Sequence, residues 1–110
     1  MAEIEAQDEV ELHPLADLDR VIHSPARLMM MTYLYVVESV DFIFLMRLTG
    51  LTWGNLSSHL STLEEAEYVN IEKRFVQKKS HTMVNLTDKG RLAFRDYKRL
   101  LLQVLTDLPE

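Results

Sequence analysis

Between Thr52 and Leu63 the apolar positions fall at Leu56, Leu60 and Leu63, the spacing of a helix with one buried face, and Trp53 sits at the edge of that stripe. Thr52 follows the turn Thr49, Gly50, Leu51, and its hydroxyl suits it to accept an orphaned N–H at a helix start. The spacing predicts a helix over 52–66. Its opposite face collects Gly54, Asn55, Ser58, Ser61 and Thr62, small polar residues without an acid. The period then changes from helical to alternating. Val69 to Val76 sets Val69, Ile71, Lys73 and Phe75 against Asn70, Glu72, Arg74 and Val76, and Thr82 to Leu86 forms a second strand-like run with Val84 and Leu86 in phase. Gln77 to His81 lies between them as a polar loop, so a hairpin is predicted.

Upstream, Ser24 as N-cap and Pro25 at the first helical position begin a helix whose interior, ARLMMMTYLYVV, is apolar nearly all round. Such a helix needs cover on every side, which points Met29, Met30, Tyr33 and Val37 toward a partner subunit, while the run Met29 to Met31 reads as adaptable core. Asp41 to Leu48 reads as a short helix, and the turn through Gly50 then completes a helix-turn-helix. After a cap at Thr87, the residues Phe94, Tyr97, Leu101, Val104 and Leu108 follow the spacing of a coiled-coil seam. That seam serves a dimer, or packs within the chain against Leu12, Leu15, Leu18 and Ile22. The fold class expected is mainly α with a small β-hairpin (α+β).

At 110 residues and 47% hydrophobic the chain supports one core and is too short for two. The absence of cysteine excludes disulfides and thiolate metal sites, and the apolar stretches break well before bilayer-spanning length. The opening MAEIEAQDEVELHP has no secretion-signal pattern, so a cytoplasmic protein is expected, with residues 1–13 an acidic flexible tail and 14–110 one domain. Enzyme readings fail on inventory. Ser58 and His59 are adjacent and so occupy different helix faces, the histidines lack ligand spacing, and three glycines form no phosphate loop. His59 is read as a flank residue of its helix. No cofactor is expected.

The net charge of −5 is unevenly placed. Residues 1–19 hold seven acids and no base, which leaves +2 on the remainder, and residues 71–99 hold nine bases against three acids. The local field around the hairpin is therefore positive. Lys73, Arg74, Lys78 and Lys79 fall within seven residues, suited to bonding phosphates without reading bases. A short-chained polar helix face suits a major groove. Solvated surfaces also carry either feature alone; their combination is the signal. The acidic tail reads as a solvating segment, or as a competitor for the basic hairpin.

The residues His23 to Arg27 (HSPAR), the pair Asp41 and Phe42, the run Leu51 to Val69, Lys73 to Phe75 (KRF) and Leu86 to Arg91 (LTDKGR) together resemble the compact winged-helix transcriptional regulators of archaea and bacteria, close to MarR-type and ArsR-type repressors. The resemblance spans His23 to about Leu102. It implies a winged helix-turn-helix with flanking N- and C-terminal helices, acting as a homodimer on double-stranded DNA. Helix 52–66 would lie in the major groove and wing 73–82 on the backbone. The DNA-binding residues expected are Thr52, Trp53, Asn55, Ser58, Ser61, Thr62, Lys73, Arg74, Lys78 and Lys79, with Trp53 read equally as a lid on the core. Three positions depart from the pattern: Ser58 where a base is frequent, and Glu67 and Gln77 where glycine is frequent. The rival reading is a winged-helix module that contacts protein rather than DNA. A ligand-sensing regulator would need a pocket for an effector that the sequence does not identify.

Overall fold

The computed structural model describes residues 13–110, so the acidic segment 1–12 lies outside the described residues. The elements are α1 (His13–Ala16), α2 (Pro25–Val37), β1 (Ser39–Asp41), α3 (Phe42–Thr49), α4 (Trp53–Glu65), β2 (Val69–Val76), β3 (Lys79–Leu86) and α5 (Asp88–Thr106). The expected α+β winged helix is present, with one addition: β1 joins the hairpin in an antiparallel sheet of order β1-β3-β2. Val40 opposes Val84, and Ile71 flanks the same residue from the other side.

The helix starts follow the capping chemistry of the sequence. The side chains of Asp41, Thr52 and Thr87 accept from the N–H groups of Ile43, Asn55 and Gly90 at 2.7, 3.2 and 2.9 Å. Asp41 is therefore the cap of α3 rather than its first residue. Ser24 has extended backbone geometry but makes no side-chain cap bond; Pro25 alone sets that start. Gly50 closes α3 with φ of 71° and donates to the Met46 carbonyl at 3.0 Å.

The hairpin is tighter than its sequence indicates. Val76 pairs with Lys79, so the polar loop expected over 77–81 shrinks to Gln77 and Lys78, with φ of 52° and 66°. Both therefore take the left-handed conformation that a two-residue type I′ turn requires. The frequent glycine is replaced, but its backbone geometry is kept. Glu67 does the same at the end of α4, with φ of 65°.

One cluster of buried side chains joins the elements. Met30, Met31 and Leu34 of α2, Leu45 of α3, and Leu56, Leu60 and Leu63 of α4 are fully enclosed with Ile22, Val69 and Val84. Of the methionine run, Met30 and Met31 are core, whereas Met29 is exposed, and Met30 is not available to a partner. Phe94 and Tyr97 bring α5 into the same core beside Leu18, Leu101 packs against it and Val104 is buried, so the intramolecular reading of the seam holds as far as Val104, and of its five positions Leu108 is exposed.

At the junction of α4, sheet and α5, Tyr68 N–H donates to Leu63 O and Glu67 N–H to Glu64 O, at 3.0 and 2.9 Å. These two bonds form a Schellman motif. Thr87 N–H donates to Tyr68 O at 3.0 Å, and Thr87 Oγ1 donates to Glu67 O at 2.6 Å. Gly90 packs directly on that peptide, and a Cβ there would lie 2.2 Å from Tyr68 O. The Tyr68 hydroxyl donates to Asp19, whose other oxygen accepts from Val21 N–H at 2.8 Å.

Gly90→Ala is expected to destabilise the chain by about 1–3 kcal/mol through overpacking, although alanine elsewhere in a helix would stabilise by about 1 kcal/mol. Urea unfolding of the two chains measures the sign. Burial, reinforced by the bond to Asp19, pushes the Tyr68 hydroxyl up to about 12 from 10.0. A raised folded pKa means that its contribution is complete below pH 10 and is lost as pH rises toward 12. Thermal unfolding across that window should weaken more steeply for the native chain than for Tyr68→Phe.

Candidate nucleic-acid interface

The caps and the leucine stripe fix how α4 presents itself. With Leu56, Leu60 and Leu63 enclosed, Thr52, Trp53, Gly54, Asn55, Ser58 and Ser61 are exposed on the other side. Thr62 is half-buried and its hydroxyl donates to Ser58 O at 3.3 Å, while the Thr52 hydroxyl is occupied as the cap. Of the expected polar set, Asn55, Ser58 and Ser61 therefore keep side chains without an intrachain task among the described residues. Exposed Glu65 follows Ser58 and Ser61 at helical spacing, so the face is acid-free only over its N-terminal part. Trp53 is 61% exposed, yet its ring lies 4.4 Å from that of Phe42 at 55°. It covers Phe42 and faces solvent together.

The hairpin register divides the expected cations. Directly paired residues share a face, and residues two apart on a strand do too. Ile71 and Thr82 line a cleft of about 200 Å³ with Trp53, Ser57, Leu60 and Ser61, so their face of the hairpin is turned to α4. Lys73, opposite Thr82, and Phe75, opposite Ser80, continue that face outward. Arg74 and Lys79 lie on the other face, and Lys78 is in the turn. From Glu72 to Ser80 every residue is exposed, so the outer half of the hairpin stands clear of the body.

Arg74 is already occupied: its Nε donates to Glu72 Oε1 at 2.8 Å, and the same oxygen accepts from Asn85 Nδ2 at 3.2 Å. Period-two spacing on one strand face is the sequence signal for this pair. Further along, His81 Nδ1 lies 2.8 Å from Asp41 Oδ2, tying the hairpin to the cap of α3. Burial raises the Asp41 pKa, but the bond to His81 and the N–H groups of Ile43 and Phe44 outweigh it and hold the carboxyl below its ordinary value. These two residues border a cavity of about 390 Å³ with Trp53, Lys79 and Thr82. Arg27 donates from Nη1 to His59 Nδ1 at 2.9 Å, in keeping with a flank position for that histidine.

The exposed Arg47 in the last turn of α3, the exposed Phe75 and the Asp41–His81 tie are features that the sequence pattern does not single out. Among the described residues no three His, Cys, Asp or Glu side chains are grouped to hold a metal ion, and no helix is long and apolar enough to cross a membrane.

Comparison with known proteins gives this geometry its context. The family model described as winged helix DNA-binding domain matches residues 26–105. An uncharacterized protein of Methanocaldococcus jannaschii is 34% identical over 85 residues, covering 77% of this chain and 92% of its own. A transcriptional regulator homologue from Pyrococcus horikoshii OT3 superposes with a TM-score of 0.80 at 27% identity, over 86% of this chain and 98% of that one. The structure of reduced AbfR bound to DNA gives 0.59 at 19% identity, over 76% of this chain and 57% of AbfR. NadR in complex with 4-hydroxyphenylacetate gives 0.67 at 16%, over 96% and 78%. At those identities AbfR and NadR show a shared fold alone. The chain belongs to the winged helix DNA-binding domain family.

Proposed function

We propose that the chain is a transcriptional regulator that binds a specific double-stranded DNA site as a homodimer. One observation carries the reading: Trp53 and Ser61 of α4 line a cleft whose other wall is Ile71 and Thr82 of a hairpin with an exposed, cationic outer half, while Asn55 and Ser58 are exposed further round the same helix. Short polar side chains on a helix reach base edges in a major groove, and an asparagine there pairs with adenine through two bonds. Trp53 and the backbone N–H groups behind Thr52 stand at the helix N-terminus, where phosphate is favoured. Lys73, Lys78 and Lys79 supply contacts to flanking phosphates; Arg74 contributes less, because Glu72 competes for it.

The surface offers room for a second copy. Met29, Val36 and Leu48 are exposed on α2 and α3 next to Tyr33, whose ring stacks on Phe44 with centroids 5.8 Å apart. Leu102, Leu105 and Leu108 are exposed at the end of α5. Patches of this kind mark association surfaces. A two-fold dimer would present two α4 helices to half-sites about one helical turn, roughly 34 Å, apart.

Fluorescence anisotropy on random and selected duplexes across a salt series, with light scattering for mass, tests the reading. A dimer that selects an imperfect palindrome with a steep salt dependence is the expected result. Lys78→Ala should weaken binding to all duplexes and lower the salt slope by about 0.9 for each phosphate left without its lysine, whereas Arg74→Ala should change it less. No binding even at low salt would turn the assignment to a winged helix that docks on protein.

A further inference from the structure

Phe75 is the most exposed large apolar side chain among the described residues, 80% accessible. None of the ring-to-ring contacts among those residues includes it. Its position is not a scattered one. It lies on the hairpin face that is turned to α4, in line with Ile71 and Lys73, and its cross-strand neighbours are the short side chains of Ser80 and Thr82. The ring therefore stands clear of the strand surface. The two-residue turn begins just beyond Val76, so Lys78 follows within three residues, and Lys73 precedes by two.

An apolar ring set between ammonium groups fits a surface that is apolar inside and anionic along its rims. A DNA minor groove has that arrangement: sugars form its walls and phosphates its edges. Apolar wedges that enter it unstack a base step and kink the duplex. We propose that Phe75 enters the minor groove beside the site read by α4, with Lys73 and Lys78 on the phosphates that border it. The inference rests on the DNA-binding reading above and adds a second determinant of specificity. A wedge selects steps that open easily and grooves without the guanine amino group, at positions α4 does not touch.

The test uses the full chain, its selected duplex with dyes at both ends, and the variants Phe75→Ala and Phe75→Leu. The native chain should shorten the end-to-end distance, since wedges of this type bend DNA by about 20–90°. Phe75→Ala should bind about tenfold more weakly, a difference of about 1.4 kcal/mol, with the salt slope unchanged and the bend abolished. Phe75→Leu should keep most of the bend. Replacing flanking guanines by inosine, which removes the minor-groove amino group alone, should strengthen binding of the native chain and not of Phe75→Ala. Native affinity and bend in Phe75→Ala would overturn the proposal. A fall from dimer to monomer mass in that variant would also overturn it, by making the ring a self-association contact. If the native chain binds no duplex, the regulator reading fails and the wedge with it; if it binds and the variants match it, the wedge alone fails.

Discussion

The backbone of Tyr68 is used in both directions: its N–H closes α4 on the Leu63 carbonyl, and its own carbonyl takes the Thr87 N–H at the start of α5, each at 3.0 Å. Two turns of chain that are 19 residues apart are thereby held to one peptide unit. Gly90 lets the first turn of α5 close on that unit, since a side chain there would meet the carbonyl. The hairpin emerges from the same point, because Val69, the first residue of β2, follows directly. α4 and the hairpin are thus set relative to each other by a backbone junction, and their exposed side chains remain free to vary without disturbing it.

A second tie acts at the opposite end of the interface. Asp41 caps α3, pairs with Met83 in the sheet and holds His81 of the hairpin. With Tyr68 and Asp41 both engaged, the hairpin is fixed to the body at its base, and only its outer half, from Glu72 to Ser80, stands in water on both faces. A wing anchored at its base loses little conformational freedom on docking, which favours the phosphate contacts proposed for it. The charge distribution follows the same division. The chain is acidic as a whole at −5, while the segment from Ile71 to Arg99 that contains the wing has nine bases and three acids. The field a polyanion meets is the local one.

Much of this is legible in the residues. Thr52, Thr87 and Gly50 mark helix ends because capping is local chemistry, and Leu56, Leu60 and Leu63 mark a face because burial follows period. β1 is not legible: three residues are too few to show alternation, and Asp41 belongs to the strand while capping the next helix. The turn is shorter than the sequence suggests because Gln77 and Lys78 lack the glycine that usually announces left-handed backbone; the register of eight cross-strand pairs imposes it instead. In α2, apolar nearly all round, no pattern within the helix separates exposed Met29 from enclosed Met30; neighbours far along the chain decide that. For the interface, proximity in sequence groups four cations, whereas pairing with Glu72 and the alternation of strand faces divide them.

β1 opposes only Met83, Val84 and Asn85, so among the described residues the flank of β3 from Lys79 to Thr82 has no strand beside it. Open strand edges invite pairing with other chains, and the usual protections are brevity, strong twist and a lysine at the exposed end. Two of them are visible here: the edge is four residues long and Lys79 heads it. One lysine therefore blunts an open strand edge as well as adding to the positive field of the hairpin.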